Sequence, residues 1–170
     1  MARASVAMSR GGAREAEALL QAVADSHAHQ PRVWSTLGLA SLLQGKHGPA
    51  RDAFTRSLAL SPDDGATQLS LGWACLMQGD LAAARAAFDA ALATDPDSAD
   101  AHGGLAIVLA SGGERDGAAS HARSAEQLQP GHLAARCAKA ILSGDPQALD
   151  AVHRVGQQWA ASLRTGRRPG

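Results

Sequence analysis

Residues 31–64 read PRVWSTLGLASLLQGKHGPARDAFTRSLALSPDD, and this stretch decides the fold. Trp34, Leu37 and Leu42 stand at i, i+3 and i+8, a helical period, with the small polar Ser41 interrupting the stripe. Gly45 sits in Gln44-Gly45-Lys46, where one helix must end and the chain reverse, because glycine tolerates the left-handed backbone at a helix C-terminus. Pro62 closes the second helix: its ring prevents continuation and biases the residue before it to an extended form. The stretch therefore spells two helices, a tight turn between them and a stop.

The same signals recur along the whole chain at a step of 34 residues. Pro62, Pro96 and Pro130 keep it, as do Gly11, Gly45, Gly79 and Gly113, and Ala16, Ala50, Ala84 and Ala118. Leu37, Leu71 and Leu105 form another series, followed by Gly38, Gly72 and Ala106. Small residues at 38 and 72, and at 50, 84 and 118, let two helix backbones approach closely, and Phe54 and Phe88 fill the space between hairpins. Ala122 takes the phenylalanine place in the third copy.

The order Trp…Leu-Gly…Gly…Ala…Phe…Pro resembles the tetratricopeptide repeat at its diagnostic positions. Gln68 stands where a tryptophan is usual in the second copy, with Trp73 five residues later on another face, and His102, Ala106 and Ala122 make the third copy the most worn. The resemblance implies an all-α, right-handed solenoid of helical hairpins. One domain is expected over 1–163: a partial repeat at 2–30, full repeats at 31–64, 65–98 and 99–132, and a capping hairpin at 133–163. In that hairpin Asp145 and Pro146 are placed as N-cap and first helical residue. Leu149, Val152, Trp159 and Leu163 lie along one face, as in a helix that covers the apolar end of a stack. Residues 164–170 read as a disordered basic tail.

Composition narrows the function classes. The chain has 170 residues, enough for one sizeable core; 45 % are hydrophobic and only 3 % aromatic, with alanine prominent, which favours close-packed helices over sheet. Sixteen basic residues balance sixteen acidic ones, so no global charge attracts nucleic acid or an anionic membrane. No run of ~18 apolar residues or signal-like N-terminus is present, and Cys75 and Cys137 read as buried thiols of a reducing compartment, so a cytoplasmic location is expected. No metal or cofactor motif occurs: His27-Ala-His29 lacks partners at ligand spacing, and His47, His121, His132 and His153 read as surface histidines. Gly103-Gly104 weakens a helix without an evident turn, which points to a close backbone approach or local softness. No catalytic constellation is visible, so an enzyme is not expected.

The resemblance further implies that the first helix of each hairpin lines a concave face. Carried over position by position, that face holds Arg32, Leu39 and Leu43 from the first copy, Leu69, Trp73 and Met77 from the second, and Asp100 and Ile107 from the third. The cations that grip the C-terminal carboxylate of chaperone tails in one subclass are absent: Ser35, Leu39, Ser70, Asp100 and Gly104 stand there. The apolar lining predicts a protein partner that offers an apolar or amphipathic segment. The resemblance also implies a scaffold, adaptor or chaperone role, such as bacterial pilus or secretion-system assembly. Alternatives are a self-assembling scaffold joined by its ends or tails, or a groove filled by the chain's own C-terminal helix.

Overall fold

The computed structural model describes residues 6, 7, 10–24 and 26–165. Among them nine helices follow one another: α1 (Ala13–Ala24), α2 (Pro31–Leu43), α3 (His47–Leu60), α4 (Gly65–Met77), α5 (Leu81–Thr94), α6 (Ala99–Ser111), α7 (Arg115–Leu128), α8 (Leu133–Leu142) and α9 (Ala148–Thr165). Helices α2/α3, α4/α5 and α6/α7 are antiparallel hairpins stacked in chain order, with α1 docked on α2 and α8 on α6. No strand occurs among the described residues.

The turn glycines do what their phase requires. Gly45, Gly79 and Gly113 have φ of +72°, +77° and +82°, a backbone other residues resist. Gly45 N–H donates to Leu42 O and Lys46 N–H to Ser41 O, so the last carbonyls of α2 are satisfied as the chain reverses. The first helices of the later hairpins, α4, α6 and α8, start on caps that also keep the step: the side chains of Asp64, Ser98 and His132 accept from the N–H groups of Thr67, Ala101 and Ala135.

The core follows from the small–large pairing. A Cβ at Gly38 would lie 2.6 Å from the Phe54 ring, and one at Gly72 would lie 2.6 Å from the Phe88 ring. Gly104 receives the other side of Phe88, and Gly103 gives room to the His132 ring. The two adjacent glycines are thus two close approaches to two different neighbours.

His132 departs from the sequence expectation. It is only 2 % exposed, not a surface residue. Because Ala135 N–H donates to its Nδ1, its Nε2 carries the proton toward Asp100 Oδ1 at 3.1 Å. Asp145 also departs: its Oδ1 accepts from Gln147 N–H within a turn, and α9 begins later, at Ala148. At the other end α9 runs to Thr165, into the expected tail; residues 166–170 lie outside the described residues.

Candidate functional site

Helix α9 does not simply close the end of the stack. It packs on its neighbour α8 and also reaches back across the first helices of earlier hairpins, α4 and α2. Every residue of α4 from Gly72 to Met77 is buried, and α9 supplies part of that cover.

The contact is built on two indoles. Trp159 of α9 stacks on Trp73 of α4, with ring centroids 5.4 Å apart and planes at 22°, while Trp73 also meets Phe88 edge-on at 5.7 Å. Gly156 lies against Met77, where a Cβ would come within 2.8 Å of its Sδ. His153 Nε2 donates to the Met77 carbonyl, 3.2 Å away, at the C-terminus of α4. Val152, Val155 and Ala160 complete the buried face, and Leu163 at its far end is 44 % exposed. Leu149, expected on this face, lies outside the described side chains. Neither the Trp73 nor the Trp159 Nε1 has a hydrogen-bond partner, although both are buried. An orphaned buried donor costs about 1–3 kcal/mol.

The residues assigned to the groove therefore divide. Trp73, Met77 and Ile107 are fully buried, the first two beneath α9 and the third in the same core. Leu39, Leu43 and Leu69 are partly buried against that core. Arg32 is exposed, and Asp100 is partly buried and bound to His132. Two open spaces flank the C-terminal half of α9. One, of about 290 Å³, is bordered by Ser35, Leu39, Leu69, Ser70, Trp159 and Leu163. The other, of about 470 Å³, is bordered by Leu42, Leu43, Gln157, Ala160 and Ala161. A groove filled by the chain's own C-terminal helix was one of the alternatives the sequence left open, and α9 covers Trp73 and Met77; the contributions of Val155, Gly156 and His153 were missed. Their signal was the i, i+3, i+7 spacing of Val152, Val155 and Trp159.

Titratable groups nearby serve structure. Burial and the His153 ring, 6.2 Å away, hold His47 below its ordinary pKa. Burial pushes the Cys75 thiol up and that of Cys137 up to about 11, which leaves both un-ionised and unreactive. Among the described residues no group of three or more His, Cys, Asp or Glu is placed to hold a metal ion, and no helix is long and apolar enough to cross a membrane.

Phased helical hairpins with a lined concave face define a helical-repeat solenoid. One profile of the tetratricopeptide repeat matches residues 41–107 and again 76–139, and a second matches 1–65. The chain belongs to the tetratricopeptide repeat family. No curated protein sequence matches it. Among solved structures it is similar to YrrB, described as a tetratricopeptide protein with an unusual peptide-binding site (TM-score 0.74, 22 % identity, 80 % of this chain and 70 % of that one). It is also similar to MamA (TM-score 0.75, 19 % identity, 94 % of this chain and 95 % of that one). The first such domain of Spaghetti (RPAP3), bound to the HSP90 peptide SRMEEVD, superposes with a TM-score of 0.62 at 19 % identity, over 72 % of this chain and 95 % of that one. At these identities the likeness is one of fold.

Proposed function

We propose that the protein is a non-enzymatic interaction module that holds an apolar or amphipathic segment of a partner protein along its concave face. The observation that carries this reading is that Leu39 and Leu69 border an open cavity of about 290 Å³ beside a helix already seated in the groove. Apolar side chains around an open cleft are where a partner gains most from desolvation. YrrB and the Spaghetti domain, which share the fold, are described with a peptide-binding site and a bound peptide. An acidic tail is the wrong chemistry here, since Asp100 stands on this face and Ser35 and Ser70 occupy positions where a clamp needs cations. The assembly setting implied by the resemblance, pili or secretion systems, is part of the proposal.

The test compares partners recovered with the tagged wild-type chain from its own cells against those recovered with Leu39→Asp/Leu69→Asp. We expect the double variant to keep its helical circular dichroism and lose the specific partner by about tenfold or more, as central apolar anchors do. Equal recovery contradicts the site. Self-assembly through the ends, the second reading, draws support from the cleft of about 840 Å³ at the N-terminal end, bordered by Gly11, Arg14, Glu17 and Lys46. Light scattering over a concentration series separates it from a monomer with an open groove.

A further inference from the structure

Helix α9 is held firmly at one end of its path and loosely at the other. Val152, Val155 and Trp159 are buried, and Gly156 and His153 fix it to Met77. Beyond Trp159 it runs between two cavities, of about 290 and 470 Å³, and ends with Leu163 exposed. Its tether from Ser143 to Gln147 is exposed throughout, with Gly144 at φ +78°. The contact it makes is also incomplete, because the two stacked indoles are buried with neither N–H bonded to another group of the protein. A helix that belonged there permanently would be expected to satisfy those donors and to fill the spaces under its own C-terminal turns.

We propose that α9 is a displaceable internal occupant, and that the partner segment is an amphipathic helix of the same pattern that takes its place over Trp73. This rests on the concave face being the binding surface. The seated helix specifies the ligand. Val152, Val155 and Trp159 stand at i, i+3 and i+7, and Gly156 stands at i+4. The partner needs apolar residues at i and i+3 and a flat ring at i+7 to stack on Trp73. At i+4 a small residue fits best, because a Cβ there lies 2.8 Å from the Met77 sulfur and that side chain must give way. Because the binding-competent fraction is set by how often α9 is away, any change that loosens α9 raises apparent affinity without touching the groove.

The test uses the full chain and a fluorescent synthetic peptide of residues 148–165 as the probe. In Met77→Cys/Gly156→Cys the two new thiols are placed to close a disulfide, since a Cβ at 156 lies 3.1 Å from Met77 Cγ. We expect the oxidised chain to bind no peptide and the reduced chain to bind it, with the same circular dichroism in both states. In a separate chain, Trp159→Ala should bind the peptide about tenfold more tightly than wild type. Equal binding by the oxidised and reduced forms overturns the proposal, as does a Trp159→Ala chain that binds no better than wild type. Either failure leaves the open cleft at Leu39 and Leu69 to be judged by its own variant.

Discussion

Trp34, Gln68 and His102 occupy one position of three successive repeats, and each donates a side-chain N–H to the carbonyl six residues upstream. The acceptors are Ala28, Pro62 and Pro96, at 2.8, 2.6 and 3.0 Å. The position demands a donor of suitable reach more than an aromatic bulk, which is why copies that look worn still fold alike. His102 Nδ1 is then left to accept from His121 Nδ1, 2.8 Å away. Gly103 and Gly104 make the same point by subtraction. An alanine at 103 drives its Cβ into the His132 ring, and one at 104 into Phe88. Each should cost about 1–3 kcal/mol by overpacking, or several degrees of melting temperature, against the gain alanine normally brings to a helix. Gly48, in α3 with nothing within 4 Å of its missing Cβ, is the control: Gly48→Ala should leave stability unchanged or raise it by up to about 1 kcal/mol. Thermal melts of the three variants check this. A close approach was legible at 103–104 from the cost of two helical glycines. What approached was not, because His132 and Phe88 arrive from different hairpins.

The first three junctions along the stack are each tied by an ion pair 29 residues apart, and the first tie is reversed. Arg51 bonds Asp80 at 2.9 Å and Arg85 bonds Glu114 at 2.6 Å, but Glu17 supplies the acid to Lys46 at 2.7 Å. Glu17 is also the buried one, 8 % exposed, with Gln44 and Ser41 donating to the same carboxylate. The Lys46 ammonium, aided by Gln44 and Ser41, holds its carboxyl below the ordinary value despite burial. The inversion discriminates registers: Glu17 docked one repeat too far would face Asp80. Arg85→Ala should therefore cost only about 0.5 kcal/mol, because its pair is half-exposed. Glu17→Lys should cost more, about 1–3 kcal/mol, because it also leaves the Ser41 and Gln44 donors without their buried carboxylate, and adding Lys46→Glu should recover part of it. Urea midpoints of the single and double variants measure this, and a double variant no better than Glu17→Lys refutes the pairing. The helices themselves were legible because caps, turn glycines and prolines act within a few residues. The start of α9 was misread for the same reason: Asp145-Pro146 has the form of a helix start, but its carboxylate serves a turn.

At the scale of the molecule, a hairpin stack supplies two layers and α9 adds a third over part of the concave face. The amphipathic face of α9 could be read from its spacing, yet the same face would suit the end of the stack or its groove. Only the path set by α8 and the tether decides between them, and that path is a property of the assembled fold. Helix α9 covers Trp73 within the groove. That cover is tested most directly by acrylamide quenching of a chain whose sole tryptophan is Trp73, made by Trp34→Phe and Trp159→Phe, with and without Gly156→Glu. The Trp73 indole should be shielded in the first chain. It should become accessible in the second, where the glutamate meets Met77 and unseats α9, with helicity retained. Equal quenching in the two chains would contradict it.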